Sequence, residues 1–201
     1  MDTIDIQAEV SRYAPKEAPR KEEDGELERW QIDPATSRLT FTLRHLVVQQ
    51  IRGQFLSWGG TLFLERTEPW LSSVHVWVGL ASIETDSVER DAHVRSAEFL
   101  DVARFPRAEF KSTAVEPCSR HLLVRGRLQL HGVTHDLELE VEAGTGKNGA
   151  AQSVYSVRGK IDRQLFGLHW NQDLDVGGVV VGDEIEMSAE VNVVRADDGP
   201  D

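Results

Sequence analysis

Over most of its length the chain alternates apolar and polar residues with a period of two. Leu39, Phe41 and Leu43 alternate with Arg38, Thr40, Thr42 and Arg44, and Val74, Val76, Val78 and Leu80 alternate with Ser73, His75, Trp77 and Gly79. Leu122, Val124, Gly126, Leu128 and Leu130 share one face of a third run, Leu137, Leu139 and Val141 one face of a fourth, and Tyr155, Val157, Gly159 and Ile161 one face of a fifth. In a sixth, Ile185, Met187, Ala189, Val191 and Val193 oppose Glu184, Glu186, Ser188, Glu190 and Asn192. Successive side chains of a strand point to opposite faces of its sheet, so these runs predict antiparallel strands wetted on one side. Further strands expected over residues 29–33, 55–64 and 108–115 bring the total to eight or nine, enough for a closed barrel or a sandwich. Gly59 and Gly60 offer a bend where the sheet can curl, which favours closure.

The alternation stops between Ser82 and Pro106. Asp86 and Ser87 are good N-cap residues, and Glu89 falls in the first turn, where the helix dipole favours a carboxylate. A short helix is therefore expected from Val88. Val88, Ala92 and Arg95 fall near one face, which has little apolar area, so tertiary contacts must hold the helix in place. Phe99, Leu100 and Val102 follow as a turn that docks apolar groups on the sheet. Pro106 then biases Phe105 to an extended conformation, and the strand pattern resumes with AEFKSTAV. A helix inserted between two strands of a small barrel seals one mouth. The fold expected is an all-β, antiparallel, eight-stranded lipocalin-like barrel with a short helical insertion acting as a lid.

The ends read differently. Residues 1–27 are polar, with Pro15, Pro19 and the charge-dense RKEEDGELE, too poor in apolar groups to offset the entropy of ordering. They are expected to form a flexible acidic tail, with the barrel over residues 28–195 and a frayed terminus over residues 196–201. The tail carries acids from position 2 and no apolar run resembling a signal-peptide core or a membrane span, so a cytoplasmic location without an integral membrane segment is expected.

Charge narrows the choice of partner. Lys and Arg number 22 against 34 Asp and Glu in 201 residues, and a net charge of -12 repels a phosphate backbone, so nucleic acid is not expected to bind. Cys118 is the single cysteine, which excludes an intrachain disulfide and a cysteine-rich metal site. His131 and His135 in HGVTH have the spacing that converges on a metal in a helix, but Gly132 and the flanking alternation place them around a turn between strands. No metal site is assigned to them. There is no GxSxG elbow and no phosphate loop, and the glycines of AGTGKNGAAQ lie in a loop between two alternating strand runs rather than at the start of a helix, so no dinucleotide-binding unit is read from them.

If the apolar faces point inward, the interior is lined by Leu, Val, Phe and Ile without an ionisable cluster, which suits a chain-like hydrocarbon. The same residues also suit a solid core, and alternation alone does not separate the two. Phe41, Leu43, Leu46, Phe55, Val76, Val78, Leu80, Leu128 and Leu130 are the candidate lining residues. Phe99, Phe110, Phe166 and Trp170 are candidates for added aromatic surface where the helix and the last hairpin meet the sheet.

Four stretches carry a resemblance: WQIDPATSRLTFTLRHLVVQQIRGQF, SIETDSVERDAHVRSAEFLDVARFPRAEFKST, RGRLQLHGVTHDLELEV and DRQLFGLHWN. Together they resemble the bacterial YceI-like proteins. The second is the most specific, because it combines an unusual helix with the FP strand entry. The resemblance implies a lipocalin-like barrel that binds, transports or stores a polyisoprenoid, an isoprenoid quinone or a fatty amide without catalysis, with no cofactor beyond such a lipid. It also implies polar motif elements at Arg44, His45, Arg90, Asp91 and His93. His45 and His93 are candidates for meeting a ligand head group, while Asp91 is expected to pair with an arginine and fix the helix to the rim. Two alternatives stay open: a metal-assisted enzyme using His93, His131 or His135, and a solid barrel serving dimerisation or partner docking. The resemblance suggests a homodimer, and the outward Trp77 suits an interface.

Overall fold

The computed structural model describes residues 27–45, 49–65, 67–144, 152–170 and 181–196. The expectations for residues 1–26, for Leu46 and for the far C-terminus lie outside these, as does the side chain of His45. Eleven strand segments are present among the described residues: β1 (Glu28–Ile32), β2 (Arg38–His45), β3 (Gln49–Phe55), β4 (Trp58–Leu64), β5 (Ser73–Gly79), β6 (Ile83–Glu84), β7 (Arg107–Pro117), β8 (Leu122–Leu130), β9 (Val133–Ala143), β10 (Gln152–Asp162) and β11 (Val181–Arg195). One helix, α1 (Val88–Arg95), stands between β6 and β7.

Eleven segments make eight lanes. β1 and β2 run end to end along β11, pairing through Trp30↔Arg195 to Ile32↔Val193 and then through Arg38↔Glu190 to His45↔Val181. β3 and β4 form the next lane, against β2 and β1 respectively, and β6 and β5 the lane after that. β7 to β11 complete the ring, every pairing is antiparallel, and β11 closes on β1 and β2. Closure leaves no long unpaired edge, which is how a barrel avoids the association hazard of an open sheet.

Three local features depart from the periodic reading. The run over residues 55–64 is not one strand: Leu56 and Ser57 break it, and Phe55 belongs to β3. The bend is thus two residues ahead of the glycines, because Gly59 and Gly60 pair in unbroken register with Trp77 and Val76. Their lack of a side chain serves packing instead. A Cβ on Gly59 would meet the Trp77 ring at 3.3 Å, and one on Gly60 would lie 2.5 Å from the His75 carbonyl. β3 itself escapes the period because Gly53 occupies its central inward position. A Cβ there would stand 2.4 Å from Phe41, whose ring takes that space.

The eight-residue helix α1 begins as its sequence indicates. Ser87 is the N-cap and accepts a hydrogen bond from the Arg90 backbone N–H at 3.3 Å, with Glu89 and Asp91 in the first turn. Its buried face differs from the expected one. Val88 is 87% exposed, and Asp91, at 6%, is the residue α1 buries most deeply. The turn between β8 and β9 consists of His131 and Gly132, at φ 51° and 76°. Two left-handed residues match the twist of a two-residue hairpin, so these histidines sit around a turn as expected.

Candidate functional site

The inward faces of all eight lanes surround a cavity of about 380 Å³. Its size falls within the range typical of small-molecule pockets, about 300–1,000 Å³. Of the candidate lining residues, Phe41, Leu43, Phe55, Val76, Val78, Leu80, Leu128 and Leu130 lie on this wall, as do His93, Phe99, Phe110 and Trp170. Phe166 does not. It is buried beneath the barrel end, edge-on to His135 with ring centres 5.3 Å apart, because the turn over Arg163–Phe166 points its ring toward β9. Periodicity does not single out Ile51, Ile83, Val94 and Leu168, which complete the wall. Ile83 and Leu168 occupy short or irregular segments, Val94 lies in α1, and Ile51 lies in β3, whose pattern Gly53 interrupts.

The middle of the wall is aliphatic and aromatic. Phe110 lies over Gly126, where a Cβ would come within 2.5 Å of the ring, and Phe41 lies over Gly53 in the same way. Two inward glycines thus leave room for two phenyl rings against the wall.

Polar groups gather at the end closed by α1. Thr85 is a buried hub: its hydroxyl donates to Asp91 Oδ1 at 2.5 Å and accepts from Arg90 Nε at 2.8 Å, while Arg90 Nη2 donates to the Thr85 carbonyl. Asp91 therefore fixes the helix to the rim through Thr85, with Arg90 held on the same residue, rather than by the direct ion pair the sequence suggests. Arg95 adds a bond from Nη2 to the Ile83 carbonyl. These bonds hold a helix whose exposed apolar residue cannot hold it.

The second polar hub at this end is Arg163, which is 0% exposed. Nε donates to the Gly182 carbonyl at 2.9 Å, and Nη1 donates to the carbonyls of Leu168 and of Trp170, the latter at 2.9 Å. Nη2 donates to the Val181 carbonyl at 3.1 Å and to Asp183 Oδ1 at 3.0 Å. All five donors of the guanidinium are used, which is what burial of a charge requires. Periodicity overlooks Arg163, because its five acceptors come from residues 168–183, a stretch with no regular spacing. The one available signal is its place in DRQLFGLHWN.

The histidines do not converge. His93 stands edge-on to Trp170 with ring centres 4.6 Å apart, and His131 meets the Phe105 ring at 4.7 Å while its Nδ1 lies 3.2 Å from the Phe166 carbonyl. His135 packs on Phe166. Among the described residues no three His, Cys, Asp or Glu side chains are placed to hold a metal ion together. Trp77 lies on the outer wall as expected, under the Arg107 guanidinium, whose carbon is 4.9 Å from the ring centre. Among the described residues no helix is long and apolar enough to cross a membrane.

Comparison with known proteins adds independent findings. A family model described as the YceI-like domain matches residues 30–193. Protein YceI of Salmonella newport is 35% identical over 160 residues, which is 78% of this chain and 81% of the relative, and its Salmonella arizonae counterpart matches to the same extent. BcnA of Burkholderia cenocepacia superposes with a TM-score of 0.71 at 19% identity, covering 80% of this chain and 98% of that one. A YceI protein from Campylobacter jejuni gives 0.65 at 22%, covering 77% and 90%. A polyisoprenoid binding domain from Saccharophagus degradans, implicated in plant cell wall breakdown, gives 0.60 at 15%, covering 85% and 99%. The structural likenesses carry the fold.

Proposed function

The chain belongs to the YceI-like family, and from that we propose that it binds one long-chain apolar molecule of the polyisoprenoid or fatty-chain class inside the barrel, as a carrier or store. The observation that carries this reading is the continuous apolar wall around a cavity of about 380 Å³. A hydrocarbon chain laid along it leaves water without covalent chemistry. Each buried methylene contributes about 0.8 kcal/mol, so ten give roughly 8 kcal/mol gross. That gross figure corresponds to about micromolar affinity before the cost of association, so a chain of about ten methylenes sets the lower limit of length for useful binding and longer chains bind more tightly. The polyisoprenoid binding domain from Saccharophagus degradans, which shares the fold, supports the ligand class.

Titration with diphenylhexatriene, an apolar rod that fluoresces when shielded from water, tests the reading. Wild type is expected to bind it in a ratio of one to one. Ala189→Phe, which projects a ring from β11 into the cavity, is expected to weaken binding tenfold or more while the fold persists. Equal binding by both proteins would place the probe outside the barrel and contradict the proposal.

A further inference from the structure

The rim of the barrel opposite α1 carries an apolar corner on its outer face. Phe63 points outward near the end of β4, where its partners are Arg29 of β1 and Ser73 of β5. Leu27 and Leu71 each lie two residues beyond those partners along the chain, and Trp70 adjoins Leu71. Leu27 is 51% exposed, Phe63 42%, Trp70 55% and Leu71 53%. The cavity wall starts next door, at Leu64 and Ser72. Single exposed apolar side chains are ordinary, but four gathered at one corner mark a surface that receives a partner.

The chain supplies that partner itself. Residues 1–26 lie outside the described residues and join the barrel at Leu27, within the corner. Among them Ile6, Val10 and Tyr13 are four and three residues apart, the spacing of one face of a helix. They are too few to order the segment alone, but a surface that receives them changes the balance. The link from Tyr13 to Leu27 is residues 14–26, and a flexible link of that length spans about 20 Å, the breadth of about four lanes. On such a link the effective concentration is about millimolar, so an intrinsic affinity only somewhat tighter than that holds the segment in place. Charge agrees: Arg29, the partner of Phe63, is exposed, while Asp5 adjoins Ile6 and Glu9 adjoins Val10. The chain's net charge of -12 also sets it against an anionic lipid surface as the occupant.

We infer that residues 1–26 fold back on the barrel and seat Ile6, Val10 and Tyr13 on Phe63, Trp70 and Leu71, beside Leu27. The segment covers the rim opposite α1 as an intramolecular strap.

Nuclear Overhauser spectroscopy of the full chain tests this directly. Contacts from the Ile6 and Val10 methyl groups to the Phe63 and Trp70 rings are expected, within one chain. A strap seated nine-tenths of the time also slows trypsin cleavage after Arg12 by about tenfold, because cleavage tracks the open population. Ile6→Asp combined with Val10→Asp is expected to remove the contacts and restore the fast rate, and Phe63→Ser combined with Trp70→Ser to restore it from the other side. Absence of the contacts in wild type, or equal cleavage of wild type and both variants, overturns the inference. Contacts seen only between differently labelled chains assign the corner to a second copy and overturn it as well. So does binding to phosphatidylcholine vesicles that depends on Phe63 and Trp70 and leaves residues 1–26 without contacts.

Discussion

The wall of the barrel and the segments that close its α1 end are built on different physics. In the wall, Val124, Leu128, Ile161 and Val191 are buried by regular alternation, and ladder hydrogen bonds satisfy the backbone without help from side chains. At the α1 end the backbone is irregular, and side chains take over: Arg163 satisfies four carbonyls, Arg90 and Arg95 one each, and Asp91 is buried against Thr85. Stability in the wall is spread over many small apolar contributions. At the end it is concentrated in a few polar atoms.

Substitutions can break that contrast in order of expected size. Arg163→Met leaves four carbonyls without this donor, while the exposed Asp183 keeps its bond from Gln164, and leaving several buried acceptors unpaired costs about 3–5 kcal/mol. The denaturation midpoint should fall accordingly. Arg163→Lys should recover little, because an ammonium cannot reproduce the planar fork. Leu128→Ala removes wall surface beside an existing cavity, and a cost of about 2–3 kcal/mol is expected, near the low end for such truncations. Equal losses for Arg163→Met and Leu128→Ala would argue that the end is not held by its polar hub.

Thr85→Val sharpens the contrast, since it keeps the shape and removes the hydroxyl that joins Asp91 to Arg90. A global loss of about 1–2 kcal/mol is expected. Amide exchange in α1 should accelerate by tenfold or more, while β8 and β9 keep their protection, as befits local opening. Uniform acceleration would show that wall and end open as one unit. The smallest effect is expected on the outer wall. Arg125 bridges Glu116 and Glu138 across neighbouring strands, and those carboxylates raise its pKa above the usual guanidinium value. Exposed pairs of this kind contribute little, so Arg125→Ala should leave the midpoint unchanged.

The same contrast explains how far the sequence could be read. Period two identifies strands with one dry and one wet face, so β2, β5, β8 and the inward sides of β9, β10 and β11 follow directly from it. It loses β3, where the inward position belongs to Gly53 and the bulk is supplied by Phe41 from the neighbouring strand. It shifts the bend from Leu56–Ser57 to Gly59–Gly60, because glycine beneath a ring and glycine at a kink look alike without the partner strand. At the end, the Ser87 cap is local and is therefore visible. The roles of Thr85 and Arg163 are not, since each depends on acceptors that reach it only in the folded chain. Phe166 belongs with them: its aromatic character is visible, but its direction is set by the turn that follows β10. Twelve of the fifteen candidate site residues nevertheless meet on one wall, eight of them in strands, where inward direction is a matter of parity.

The central claim is that the barrel interior accommodates a long apolar chain. Native mass spectrometry of the freshly purified protein, followed by solvent extraction, tests it most directly. A discrete mass increment that resolves to one long-chain apolar compound is the expected result, either on isolation or after incubation with a polyprenol or a fatty alcohol. A protein that keeps its bare chain mass through all such incubations would contradict it.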